Sequence, residues 1–359
     1  MLRRAICEGL LVGALLFNSL PRVQAAQDLP SLTQRVLDRH VLPRYAALAS
    51  ATSKLAGSLE ASCSGDKAQL KSARKDFEAV VRAWAEIGYM RFGPMSALGR
   101  PERFFFWPDP RGVVNRQLAR LTGKRDPEVL NPKVLADKSV AVQGLPALEI
   151  LMWNEKRPLD GDSEDVRYRC ALAVAIAQNL SNLARDISSE WTSGKDWRGT
   201  MQSPGQKNPL YKSPTEPAAD LVRALVTGLQ LLQDQELAVM IAAQPGKTVR
   251  VPFERSGLSG AYTASAVASL KSLYEALDLA QSTPKEKRWM PTWIKAAFVR
   301  LADDLPNAVE TNAGGFDDPD RTRTMRVLRF HVEGIRKLVG RELAPLAGVT
   351  IGFNELDGD

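Results

Sequence analysis

Metal-assisted hydrolysis often relies on histidine, and this chain of 359 residues contains only two, His40 and His331. Asp38 precedes the first by two positions, and Glu333 follows the second by two. Side chains two positions apart on a helix point in different directions, so neither pair can hold a metal ion together. The sequence also lacks an H-E-x-x-H motif. A zinc site built from histidines is therefore not expected, and we interpret both histidines as packing or surface residues.

Two serines in the second half of the chain, Ser256 and Ser259, are candidate nucleophiles. A serine needs a neighbouring base to act in this way, and neither histidine is placed to serve as one. Ser259 is instead predicted to cap the helix that follows it. We interpret the neighbouring Glu254 and Arg255 as charged residues that line a cleft.

The elements that must position these side chains are predicted to be helices. Apolar residues recur at spacings of three and four along almost the whole chain, and no segment of useful length alternates with period two, which predicts an all-α fold. A segment rich in proline and glycine, 199–216, predicts a linker between two tandem helical bundles with a cleft between them. The expected bundles cover 26–198 and 217–359.

The N-terminus has the pattern of a cleavable signal peptide. Arg3 and Arg4 precede an apolar run from Ala5 to Phe17, and small or apolar residues lead up to Ala25. We predict a signal peptide over 1–25, with cleavage after Ala25. The apolar run is too short to span a bilayer and later apolar stretches are interrupted by charges, so no transmembrane segment is expected.

The charge of the chain does not favour a nucleic-acid partner. The formal net charge is +7, and removing 1–25 takes away three arginines and one glutamate, which lowers it to +5. The basic residues form no block and are not interleaved with aromatic residues, as a nucleic-acid surface would require.

Cleavage after Ala25 would leave two cysteines, Cys63 and Cys170. An even number of cysteines in an exported protein favours a disulfide, since the compartment is oxidising. Two buried free thiols are the alternative.

Four segments of the chain, in this order, resemble the imelysin family of bacterial envelope proteins. They are Trp84 with YMRFGP at 89–94, RFFFWPDPRG at 103–112, ERSGLS at 254–259, and the closing GFNELDGD at 352–359. The resemblance covers most of the chain after residue 25. It implies two helical bundles, a periplasmic location, and either a metallopeptidase activity or a binding role linked to iron uptake.

The signature motif of that family, G-x-H-x-x-E, is changed in this chain. The corresponding residues run from Gly144 to Glu149, and Pro146 occupies the histidine position. Histidine and glutamate three apart on a helix can share a metal ion, whereas proline offers no ligand atom. Proline also favours the first turn of a helix, so a helix is expected to begin afresh there. Glu149 is then either a retained functional carboxylate, the single candidate metal ligand, or a structural acid of the first helical turn.

The changed motif favours a non-catalytic protein over a peptidase, because a water-activating metal site needs three protein ligands. The expected function is ligand binding linked to iron uptake or envelope metal homeostasis, with an iron-related metal ion as the candidate cofactor and a small ligand or an envelope protein as the partner. A metallopeptidase, or a scaffold protein that has lost the site, is the alternative. The tail is expected to dock against the body of the protein and to contribute Asp357 and Asp359. The predicted cleft residues are Gly144, Pro146, Glu149, Glu254, Arg255, Ser256, Ser259, Asp357 and Asp359.

Overall fold

The computed structural model describes residues 27–63, 67–193, 196–243, 249–310 and 316–352. Those residues contain helices and no strand, which confirms the all-α prediction. The α-helices are α1 (Leu29–Val36), α2 (Leu42–Cys63), α3 (Lys67–Ala85), α4 (Arg100–Phe104), α5 (Val113–Lys124), α6 (Pro132–Ala136), α7 (Leu145–Met152), α8 (Glu164–Thr192), α9 (Trp197–Gln202), α10 (Thr215–Leu231), α11 (Ala238–Ile241), α12 (Ser259–Leu277), α13 (Trp289–Val309), α14 (Pro319–Lys337) and α15 (Ala344–Leu346).

Three pairs of consecutive α-helices are joined by a π-helical segment. The segments Leu37–Val41, Leu232–Leu237 and Leu338–Leu343 join α1 to α2, α10 to α11 and α14 to α15. A π-helical turn inside an α-helix is uncommon and is often found at functional sites. The first segment contains the buried His40, and the second contains the buried Glu236.

The first group of packed helices consists of α2, α3 and α8. Cys63 ends α2 and forms a disulfide with Cys170 of α8, with 5.7 Å between their Cα atoms, which confirms the predicted bond. The bridged residues are 107 positions apart. In the chain-entropy model a loop of that length stabilises the fold by about 4 to 5 kcal/mol.

The second group consists of α10, α12, α13 and α14, and the N-terminal α1 packs against α10 and α12 within it. Two side chains hold α1 there: Gln27 donates a hydrogen bond to the carbonyl of Leu277 at 3.0 Å, and Arg35 donates one to the carbonyl of Ala276 at 2.8 Å. Helix α3 of the first group also packs against α12. The two groups therefore contact each other through α3 and α12. The predicted linker at 199–216 stays a prediction. Helix α9 begins at Trp197, before the start of that linker.

Helix α7 packs against α5 and α8 and is fixed at both ends. It begins at Leu145 with Pro146 in its first turn, where a missing N–H costs no helical hydrogen bond. Before it, a Cβ atom at Gly144 would lie 2.6 Å from the carbonyl oxygen of Phe104, so only glycine allows this close approach to α4. At the other end, Arg74 of α3 donates a hydrogen bond to the carbonyl of Met152 at 2.7 Å.

Candidate functional site

A cavity of about 450 Å³ lies between α7, the start of α5, and two loop segments, 105–109 and 250–255. Its walls therefore come from both halves of the chain. The side chains that line it are Phe105, Phe106, Trp107, Asp109, Val114, Asn115, Pro146, Glu149, Ile150, Arg250, Val251, Phe253, Glu254 and Arg255. This volume falls within the range of small-molecule sites, and the mixture of aromatic and charged groups is typical of them.

Glu149 bridges the two halves at this cavity. The backbone N–H of Ser256 donates a hydrogen bond to Glu149 Oε1 at 2.9 Å, and the Ser256 hydroxyl oxygen lies 2.7 Å from the same atom. The Glu149 side chain is buried, with the residue only 7% exposed. A buried carboxylate needs hydrogen bonds, and Ser256 supplies two of them.

Burial raises the pKa of Glu149 above its ordinary value. The two hydrogen bonds from Ser256 and the charge of Arg255 lower it in part, and the charge of Glu254 raises it. The hydrogen bonds and the Arg255 charge thus favour the ionised carboxylate, while desolvation opposes it. Through its hydrogen bonds to Ser256, Glu149 joins α7 to the loop before α12.

The loop that carries Arg255 and Ser256 is shaped by Phe253. This residue has a φ of 58°, a left-handed conformation that is uncommon for a bulky side chain. The Phe253 ring stacks on Phe105 at 5.0 Å between centroids and contacts Tyr262 at 5.2 Å. These aromatic contacts hold the turn that presents Ser256 to Glu149.

Ser259 has a different role from the predicted one. Rather than preceding α12, Ser259 is its first residue, and its hydroxyl donates a hydrogen bond to the carbonyl of Pro252 at 2.7 Å. The side chain is 2% exposed and does not line the cavity. The Ser259 hydroxyl therefore stabilises the loop before α12, because it hydrogen-bonds to a loop carbonyl and not to a helix N–H.

The cavity contains positive and negative side chains together. Arg250 and Arg255 lie on its wall with Glu254, whose pKa is raised above its ordinary value by partial desolvation. Asp109 accepts hydrogen bonds from the backbone N–H groups of Val113 and Val114 at 2.7 and 2.9 Å, so it serves the start of α5. The two arginines are the cavity's candidates for holding an anionic group.

The structure brings together five of the predicted cleft residues. Pro146, Glu149, Glu254 and Arg255 line the cavity, and Ser256 hydrogen-bonds to Glu149. Gly144 packs on the α4 backbone and has no side chain to offer. Asp357 and Asp359, with the rest of the tail from Phe353 onward, lie outside the described residues.

Both histidines lie outside the cavity wall. His40 is buried, and its ring nitrogens are 2.9 Å from the Tyr89 hydroxyl and 3.3 Å from the Ser272 hydroxyl. Burial lowers the pKa of His40 to about 3. His331 packs against Trp293 at 5.8 Å between centroids. Within the described residues, no group of three or more His, Cys, Asp or Glu side chains is arranged to hold a metal ion.

Sequence reasoning did not assign a cavity role to Phe105, Trp107, Asn115, Arg250 or Phe253. Four aromatic residues occupy positions 104 to 107, and such a run could have indicated an aromatic wall. Arg250 and Asn115 carry no such signal, because isolated polar residues occur throughout the chain. Their positions follow from packing alone.

Comparisons with known proteins agree with this architecture. The imelysin family model matches residues 41–328. An imelysin-like protein from Psychrobacter arcticum 273-4 has a similar structure, with a TM-score of 0.70, 21% sequence identity, and coverage of 92% of this chain and 99% of that chain. A structure named as an iron-regulated protein A precursor, from Parabacteroides distasonis ATCC 8503, matches with a TM-score of 0.56, 13% identity, and coverage of 88% and 96% respectively.

At these identities the two structures support the fold alone, and no curated protein matches the chain. Each helix of the described residues is too short or too polar to cross a membrane. The family model nevertheless extends over most of the chain, including α7 and the loop before α12. The chain therefore belongs to the imelysin family.

Proposed function

We propose that this protein is an exported, non-catalytic binding protein that holds a small anionic ligand in the 450 Å³ cavity and acts in iron uptake or envelope metal homeostasis. The observation that carries the proposal is the chemistry of the cavity wall. Pro146 lines the wall at the position of the motif histidine, and Glu149, the remaining motif carboxylate, is hydrogen-bonded to Ser256.

The two arginines of the wall favour an anion. Arg250 and Arg255 bring two positive charges to the cavity, and planar guanidinium groups bind carboxylate and phosphate oxygens well. Asn115 adds a polar side chain, while Phe105 and Phe253 supply apolar surface. A small carboxylate ligand, alone or as a chelate of ferric iron, matches this combination.

The link to iron and the envelope has separate support. The signal-peptide pattern at 1–25 favours export, and one structural neighbour is named for iron regulation. Calorimetric titration of the purified protein with citrate, ferric citrate and zinc chloride tests the proposal. We expect saturable binding of ferric citrate or citrate, and none of zinc.

Matched variants make the test specific to the cavity. Replacing both arginines, as R250Q with R255Q, should weaken binding by about tenfold or more, since tenfold corresponds to about 1.4 kcal/mol. R120Q changes an exposed arginine of α5 outside the cavity wall and should bind as the unmodified protein does. Equal binding by the double variant and the control would overturn the proposal. Zinc at one equivalent with chelator-sensitive proteolysis would support the metallopeptidase instead.

A further inference from the structure

A second, smaller cavity of about 50 Å³ lies beside the first. Phe105 and Trp107 line both cavities, so these two rings form a shared wall. The smaller cavity is otherwise formed by the end of α3, the π-helical segment Leu232–Leu237 and α12. A single water needs about 10 to 15 Å³ on this measure, so the space suits a few waters or one small head group.

The smaller cavity contains a buried carboxylate, Glu236, which is 8% exposed. The hydroxyl of Thr263 donates a hydrogen bond to Glu236 Oε2 at 3.1 Å. Within the described residues Glu236 forms no ion pair, and Thr263 is its hydrogen-bond partner there. Burial raises the pKa of Glu236 to about 7, with the Thr263 hydrogen bond lowering it in part. Buried carboxylates are normally paired with a positive charge, so this one is unusual.

Aromatic rings line the same cavity as the carboxylate. Trp84, Tyr89, Phe105, Trp107 and Tyr262 all line the cavity. The Phe105 ring is 6.4 Å from Trp84, 6.1 Å from Trp107 and 5.9 Å from Tyr262, measured between centroids, so these rings form one cluster. The faces of aromatic rings attract cations, and pockets lined by several rings are typical of sites for organic ammonium groups.

The other polar groups of the cavity do not supply a metal site or neutralise Glu236. Arg91 lines the cavity but pairs with Glu102 at 3.3 Å between the guanidinium and carboxylate atoms. Calcium or magnesium would require six or more oxygen ligands, and Glu236 is the one carboxylate on the described wall. A monovalent organic cation needs one carboxylate and the ring faces.

We propose that the smaller cavity binds a small organic ammonium group, of the size of methylammonium, between the Glu236 carboxylate and the surrounding aromatic rings. This site is separate from the anion site proposed above, and it shares only a wall with it. The ammonium group replaces the missing positive partner of Glu236 and contacts the π-faces of the rings.

Calorimetric titration of the purified protein with methylammonium chloride at pH 8 tests this proposal, with potassium chloride as the ionic control. We expect saturable binding of methylammonium and none of potassium. Glu236→Gln keeps the shape of the side chain and removes its charge, so the variant should bind methylammonium at least about tenfold more weakly. Glu275→Gln, an exposed glutamate of α12, is the matched control and should bind as the unmodified protein does.

A thermal melt of each variant verifies that it folds. The comparison of methylammonium with potassium uses the unmodified protein, so it tests the proposal even if a variant does not fold. The R250Q/R255Q protein should retain methylammonium binding, so failure of the anion proposal is separable from failure of this one. No saturable methylammonium binding, equal binding of potassium, or equal binding by the Glu236→Gln protein would overturn the proposal.

Discussion

Glu149 and Glu236 are buried glutamates on two neighbouring cavities, yet their surroundings differ. Glu149 accepts two hydrogen bonds from Ser256 and lies near the charge of Arg255. Glu236 accepts one hydrogen bond, from the Thr263 hydroxyl, at the end of a π-helical segment. Burial raises the pKa of both, and each keeps one carboxylate oxygen without a described hydrogen bond. Glu149, however, joins α7 to the loop before α12 and lies near a positive charge, whereas Glu236 has no charged partner among the described residues. Burial alone therefore does not identify a binding carboxylate; the lack of a charged partner among the described residues does.

The largest effect is expected from Glu149→Ala. The substitution leaves the Ser256 donors without their carboxylate and removes the bridge between α7 and the loop before α12. Hydrogen bonds to a charged group are worth about 1.5 to 3 kcal/mol each, so the free energy of unfolding should fall by about 3 kcal/mol. Urea unfolding measures this, with the exposed Glu155→Ala as the control. A loss no larger than that of the control would show that Glu149 does not join the two halves.

The pH dependence of Glu236→Gln comes next. The pKa of Glu236 is about 7 in the folded protein, compared with an ordinary value of 4.5. Between pH 4.5 and pH 7 the folded state therefore binds the proton more tightly than the unfolded state does. The contribution of Glu236 to stability is thus greatest below pH 4.5 and is lost as pH rises through 7. Relative to the unmodified protein, the variant should gain about 2 kcal/mol of unfolding free energy between pH 5 and pH 8.

Urea unfolding of both proteins at the two pH values provides this difference. His40, whose pKa is lowered to about 3, also makes stability depend on pH, but it is present in both proteins and cancels. A difference that stays constant with pH would mean that Glu236 is not held neutral by burial.

Removing either hydroxyl donor should have a smaller effect on the free energy of unfolding. Ser256→Ala leaves Glu149 with the backbone N–H of residue 256, and Thr263→Val removes the described donor to Glu236. Each should cost about 1 kcal/mol in unfolding free energy at pH 8. Thr263→Val should also move the titration of Glu236 to higher pH, so its cost should disappear at pH 5. Equal pH profiles for both variants would argue against the contrast between the two carboxylates.

The smallest effect is expected for Glu254→Gln, because Glu254 is exposed and forms no ion pair within the described residues. The free energy of unfolding should change by less than about 0.5 kcal/mol. Since Glu254 raises the pKa of Glu149, its replacement should lower that pKa slightly. A cost comparable with that of Glu149→Ala would show that the loop is held by Glu254.

The two cavities also show which structural features could be predicted from the sequence and which could not. Local patterns predicted that α7 begins near Pro146, because proline suits a first helical turn, and the structure places the start at Leu145. The cap predicted at Ser259 was wrong, because α12 begins at Ser259 itself with Leu258 at the N-cap position, and the Ser259 hydroxyl donates to the carbonyl of Pro252 instead. Glu236 carries no local signal, since it differs from other helical glutamates only through the helices and rings packed around it.

The sequence by itself determined the helical class and the resemblance to the imelysin family, and it favoured a disulfide between Cys63 and Cys170. These properties depend on apolar periodicity, ordered local motifs and composition, which are written along the chain. Only the tertiary structure decided that Glu149 meets Ser256, 107 positions away, and that Glu236 lacks a charged partner within the described residues. Both facts depend on contacts between segments distant in sequence, where packing sets the dielectric environment and the available hydrogen-bond donors.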